Sequence, residues 1–292
     1  INRENFTDKI KSYLRHPGSM ILMFLVMLAT FITFALLLFL IFYILINGIP
    51  YIKPSLFSLH YTSDNASVIP ALINTVVMTL LSLLIAVPFG IFSAIFLVEY
   101  AGKGNKFIEV IRLTTETLSG IPSIVYGFFG LVVLVPFIRE HFKNSNGQSI
   151  LCASILLGIM ILPTIIGASE PTIRAVEQSY YEGALALGAT HERSVFTVVV
   201  PAAKSGILAA VILGVGRALG ETMAVMMVVG NQPRVPNSIL QGVRTLTTNI
   251  VMEMGYATDL HREALIATGV VLFAFILIIN LCFSAIKRSG KE

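Results

Sequence analysis

The sequence predicts an all-α membrane protein with six transmembrane helices and one short helix outside the bilayer. Three observations predict it. Hydrophobic residues make up 55% of the 292-residue chain and charged residues only 12%, about half the charge of an ordinary soluble domain. The apolar residues gather in runs of roughly 20 to 30 that are almost free of charge, long enough to cross a ~30 Å hydrocarbon core. Lys and Arg are placed unevenly around those runs. Thirteen of the 20 fall on the side that would carry both termini and six on the other, with Arg217 inside a span. That excess puts both termini in the cytoplasm.

Each element follows from its residues. Residues 1–18 are polar and carry Arg3, Lys9, Lys11 and Arg15, a cytoplasmic N-terminal segment. The six spans occupy 19–286. The first, 20–46, has no charge and no small-residue cleavage site, so it reads as a retained helix and not a signal peptide. After a turn-rich segment, 47–68, the second span covers 69–98. It is longer than the core requires, so either Pro88 and Gly90 kink it or its ends project into water. Residues 100–112, with Lys103 and Lys106, read as a basic turn. A third span, 118–138, is entered through Gly120-Ile121-Pro122-Ser123. The fourth, 150–168, closes on Ser169-Glu170-Pro171, a helix-start signal. A cytoplasmic loop, 170–204, leads to the fifth span at 205–229. An outer loop, 230–263, precedes the sixth at 264–286, and 287–292 form a basic cytoplasmic tail.

Within the cytoplasmic loop, residues 179–201 carry helix signals that a simple connector lacks. Ser179 and Glu182 have the spacing of a capping box, Ala184 to Leu187 favour helix, and Gly188 suits a left-handed C-terminal cap. A short stiff helix in the cytoplasm presents a surface to a partner. In the outer loop, Ile239, Val243, Leu246, Ile250 and Met254 recur at helical spacing. They predict an amphipathic helix over 239–254 at the membrane surface, either a brace or an outer gate and landing surface.

Arg217 and Glu221 fall near the middle of the fifth span, four residues apart and so on one helix face. Charges at that depth cost several kcal/mol unless they face protein or water and are paired, roughly 3 kcal/mol each on insertion scales. An ion pair that only fixes packing is the plainer reading. The favoured one is a substrate pathway in which Arg217 contacts an anion and Glu221 holds Arg217 when none is present. Arginine suits a tetrahedral oxyanion because its fork bonds bidentately and does not deprotonate. Thr222 could add a hydroxyl to such a site or bond back to its own helix. Gly216 and Gly220 would let another backbone approach.

Several function classes are excluded. There is no G-x-x-x-x-G-K-[ST] phosphate loop, no H-E-x-x-H and no G-x-S-x-G. The five His residues are scattered through polar segments without ligand spacing, and Cys152 and Cys282 lie far apart in apolar runs. No metal site, disulfide, catalytic constellation or nucleic-acid footprint is expected. The expectation is a transport subunit and not an enzyme.

The cytoplasmic stretch resembles the EAA loop of ABC-importer permeases: Glu182-Gly183-Ala184, then Gly188, then Val198-Val199-Val200-Pro201. Gly183 stands where the pattern has Ala, and valines stand for Ile and Leu. Three further segments are similar to phosphate-specific permeases, the third of them favouring the PstC-type subunit over its PstA-type partner. They are Leu118-Ser119-Gly120-Ile121-Pro122-Ser123-Ile124-Val125-Tyr126-Gly127, Gly216-Arg217-Ala218-Leu219-Gly220-Glu221-Thr222-Met223, and Val243-Arg244-Thr245-Leu246-Thr247 with Glu253-Met254-Gly255. The resemblance implies a type I ABC-importer permease fold in a bacterial or archaeal plasma membrane. It implies inorganic phosphate as substrate, a PstA-type second permease, a cytoplasmic ATPase dimer that binds ATP and Mg, and an external phosphate-binding protein. Arg217 and Glu221 would line the pathway, while Glu182, Gly183, Ala184, Gly188 and Pro201 would form the coupling helix that meets the ATPase. Alternatives within the class are the PstA-type partner itself or a permease for molybdate or sulfate. A different class is a membrane scaffold that signals phosphate status.

Overall fold

A computed structural model describes residues 17–62, 66–101, 106–143 and 145–289. The N-terminal segment up to residue 16 and the last three residues of the tail lie outside the described residues. Those described form helices joined by short connections, and no β-strand is found among them beyond an isolated bridge between Gly230 and Val243. Five helical stretches are long and apolar enough to cross a membrane. A sixth crossing appears when the bent pair His191–Ala202 and Lys204–Gly220 counts as one span. The all-α, six-span expectation holds.

The fourth span is the centre of the packing. Helix α6, Ile150–Arg174, begins where Ser149 Oγ accepts the amide of Cys152, satisfying one of the unpaired donors of the first turn. Its Leu156, Leu157, Met160, Ile161 and Ile165 are fully or almost fully buried among Met78, Ala86, Ala218 and Val225. Helix α2, Ile69–Ile95, lies along it. Pro88 does not break α2, which runs on through a π turn at Phe96–Tyr100. The whole stretch spans 32 residues, about 48 Å at 1.5 Å per residue. An end therefore projects beyond the core.

Helix α1, Pro17–Gly48, packs chiefly against the last helix, Asp259–Ser289, and otherwise faces outward. Gly48 presses on the backbone of Ile266 and on Val270, where a methyl group would not fit.

Two further stretches depart from the sequence reading. The basic turn at 100–112 is largely a helix, Lys106–Gly120. Its charges at Lys106, Glu109 and Arg112 obscure Ile108 and Ile111, which pack with Leu97 and Ile166. Nor does Ser169-Glu170-Pro171 start a helix: α6 passes through all three. Glu170 instead accepts Arg112 at 2.6 Å and Arg174 at 2.8 Å, joining the 106–120 helix to α6.

The third span starts later than its hydropathy suggests, at Ser123, because Pro122 disfavours helical backbone before it and lacks an N–H. The carbonyl that Pro122 cannot reach is that of Leu118. Tyr126 Oη donates to it at 2.8 Å, closing the gap across the break. From Ser123–Phe129 the chain continues through a π turn, Gly130–Leu134, to Val135–His141.

Candidate substrate pathway and coupling surface

The fifth span is not one helix. Lys204–Gly220 (α10) ends, two residues adopt non-helical backbone, and Met223–Val228 (α11) begins. Glu221 has extended dihedrals, φ −70° and ψ 128°, and Thr222 lies outside the helical region. Inside a membrane such a break survives only if side chains satisfy the freed backbone groups, and here they do. Glu221 Oε1 accepts the amides of Thr222 and Ala224, both at 3.2 Å, capping α11. Thr222 Oγ1 donates to the Gly220 carbonyl at 3.2 Å, the local bond that was one of its two readings. Thr247 Oγ1 donates to the Glu221 carbonyl at 3.1 Å.

This corrects the expected pairing of Arg217 with Glu221. No ion pair links them among the described residues, since the break rotates Glu221 off the face that carries Arg217. Arg217, in the last turn of α10, donates Nη1 to Thr164 Oγ1 on α6 at 3.1 Å. The carbonyl end of α10 favours its charge, and the half-buried guanidinium retains N–H groups for a ligand. Thr164 and Thr247 were missed in the sequence. The signals were a hydroxyl directly after Pro163 in a buried span and the Thr-rich Val243–Thr248 segment.

Among the described residues, a Cβ at Gly216 or Gly220 would meet nothing within 4 Å beyond its chain neighbours and its own helix backbone. The close approach occurs at Gly127 instead, where a Cβ would stand 2.9 Å from Ala224 Cα. The Gly216/Gly220 face is left open.

The outer segment is also corrected. Only Leu246–Met254 (α12) is helical; Ile239 and Val243 precede it in irregular backbone. The helix is not spread on the surface by its apolar residues. Its first turn is buried, with a capping box between Thr245 and Thr248, and Leu246 N donates to Thr75 Oγ1 on α2 at 3.0 Å. It thus reaches in from the 230–263 connection to the break at Glu221. Just before it, buried Arg244 donates Nη1 to Glu253 at 2.6 Å and to Asn249 at 3.1 Å. Glu253 also meets His261 at 3.3 Å. Tyr61 lies beneath the Arg244 guanidinium at 5.9 Å. Burial raises its pKa and the Glu253 charge adds to that, while Arg244 opposes both.

At the other end, helix α7, Gln178–Ala186, carries Glu182, Gly183 and Ala184 and buries none of its residues. The anticipated capping box is absent. Glu177 is the N-cap and makes no side-chain cap bond, while Glu182 accepts Gln178 Nε2 at 2.8 Å. With the helix starting at 178, Ser179 is inside it and cannot cap. The C-terminus follows its sequence: Gly188 has φ +84°, its amide reaches Leu185 O, and Ala189 N reaches Ala184 O. That is the two-bond left-handed cap. Pro201 lies in a short turn, Val200–Ala202, at a 69° bend before α10. Among the described residues there is no cluster of His, Cys, Asp or Glu suited to a metal.

A helical bundle with a broken span, hydroxyls and an arginine at the break, and an exposed helix on an adjoining loop defines a membrane permease. The family of binding-protein-dependent transport system inner membrane components matches residues 86–289, and the chain belongs to it. It is accordingly an ABC-importer permease, a transport component and not an enzyme. The probable ABC transporter permease protein YqgH of Bacillus subtilis is 41% identical over 81% of this chain and 79% of its own. The phosphate transport system permease protein PstC of Haemophilus influenzae is 35% identical over 71% of each; that of Xylella fastidiosa is 34% identical over 75% and 74%. Among solved structures, a bacterial ABC transporter that imports the acidic polysaccharide alginate superposes with TM-score 0.67 at 17% identity, over 97% of this chain and 99% of that one. The shared fold is that of type I ABC-importer permeases.

Proposed function

We propose that this chain is the PstC-type permease of an ATP-driven phosphate importer and forms half of the translocation pathway. What carries the reading is Arg217, held at a break in the fifth span, in a chain whose relatives named as phosphate permeases match about three quarters of its length. The guanidinium contacts the anion, Thr164 offers its hydroxyl, Thr222 holds the break through its bond to Gly220, and Glu221 keeps the break ordered and turns away other carboxylates. A PstA-type permease supplies the other half of the path against the open Gly216/Gly220 face. A phosphate-binding protein delivers the anion from outside. Two ATPase subunits, which bind ATP and Mg, receive α7 with Glu182, Gly183, Ala184 and Gly188. Both termini lie in the cytoplasm, and Pro201 sets the bend through which the ATPase stroke reaches α10.

The test is uptake of labelled phosphate by cells that depend on this importer, with sulfate and molybdate as competitors. Phosphate uptake that resists both competitors and falls at least 100-fold in Arg217→Ala, with unchanged amounts of assembled complex, supports the reading. Competition by molybdate or sulfate reassigns the substrate. Undiminished uptake in Arg217→Ala removes the pathway role.

A further inference from the structure

No residue of the coupling helix α7 is fully buried, so what fixes it to the membrane body must reach out from it, towards the cluster of Ile173, Val195 and Val199. Tyr181 does so. Its Oη and His191 Nδ1 share a hydrogen bond of 2.7 Å, and the two rings meet edge to face at 5.7 Å. The imidazole also meets Tyr100, again edge to face, at 4.7 Å, and Tyr100 stacks on Phe96. Tyr100 and Phe96 close the second span.

His191 has a third connection along the chain. It is the first residue of the helical limb His191–Ala202, which bends by 69° into the helix that carries Arg217. Thr190 caps that limb by accepting the Arg193 amide. Val195 and Val199 anchor it against Ile95 and Ile173. One side chain therefore touches the coupling helix and the end of the second span, and begins the limb leading to the fifth.

We propose that His191 is a positioning residue for transport, the node through which movement of α7 is divided between the second and fifth spans. Apolar contacts alone would let α7 slide; a short hydrogen bond to a ring that also contacts Tyr100 resists displacement in a defined direction. The inference rests on the reading of α7 as the ATPase contact.

The test uses the complete importer in liposomes: this chain with its second permease, ATPase and binding protein. The readout is phosphate moved per ATP hydrolysed. Tyr181→Phe removes the hydroxyl and keeps the ring, and His191→Phe keeps the ring and removes the nitrogen. Each should lower the ratio about five-fold, the size expected for one net hydrogen bond, while ATP hydrolysis continues. His191→Asn, whose amide stands in for Nδ1, should stay within about two-fold of the parent. The double Phe variant should be no worse than either single one. Unchanged ratios in both single variants, or losses that multiply in the double, overturn the proposal. If His191→Phe fails to assemble, Tyr181→Phe decides alone. A parent chain that captures no ATPase overturns the reading of α7 itself, an outcome distinct from a coupled importer indifferent to His191.

Discussion

Thr247 donates its hydroxyl to the carbonyl of Glu221 at 3.1 Å, and so ties the buried first turn of α12 to the break in the fifth span. The break's own residues provide its other side-chain bonds. This one comes from 26 residues away, from a segment outside the bundle's spans. The position of α12 and the geometry of the break are therefore linked through one hydroxyl.

Thr247→Val, nearly isosteric, should leave that carbonyl unsatisfied at a cost of about 1–2 kcal/mol. Phosphate uptake should fall several-fold and the thermal midpoint of the purified complex should drop. Thr247→Ser should restore both. A valine variant with normal uptake and midpoint would disconnect the outer helix from the break.

Thr164 holds Arg217 from the fourth span. In Thr164→Val the guanidinium loses its only fixed neutral partner among the described residues and is free to swing. The expected signature is a rise of about five-fold in the apparent KM for phosphate, with Thr164→Ser near the parent, an effect of about 1 kcal/mol. Uptake kinetics over a concentration series would read it.

Gly183 and Gly188 make a contrasting pair five residues apart. Among the described residues, a Cβ at either would meet nothing within 4 Å beyond its chain neighbours and its own helix backbone, but only Gly188 has a positive φ. Gly183→Ala should firm α7 by about 1 kcal/mol without loss of ATPase capture. Gly188→Ala forces a side chain into left-handed backbone, costs about 1–2 kcal/mol, and should reduce the amount of ATPase that co-purifies. Equal capture by the two variants would contradict the left-handed cap.

Arg244 is 8% exposed and its bond to Glu253 is the shortest in the outer segment. Removing Glu253 strands a buried cation. Glu253→Leu should destabilise the complex by about 2–3 kcal/mol, at the low end for a broken buried pair because Glu253 remains partly exposed. Arg244→Met with Glu253→Leu should recover most of that in thermal unfolding.

The parts of this molecule that the sequence made legible are those where chemistry is local. Long uncharged runs located the spans, and a glycine placed after Ala184–Leu187 announced the left-handed cap. The helix break at Glu221-Thr222 was hidden because no proline marks it. Residues 217 and 221 look like helical neighbours until Thr247, remote in sequence, is seen to bond the break. The helix over Lys106–Gly120 was obscured by charges that lie along one side of it, leaving Ile108 and Ile111 on the other. Ser179 and Glu182 had correct spacing for a cap, but the register of a helix with no buried face cannot be read from spacing alone.

The docking of α1 against the final helix has a consequence for how this protein is made. Among the described helices, α1 is the earliest made, and its principal partner, Asp259–Ser289, is the latest. Until that partner emerges, α1 has almost its whole surface uncovered by the other described helices. The described helix synthesised last therefore covers the one synthesised first.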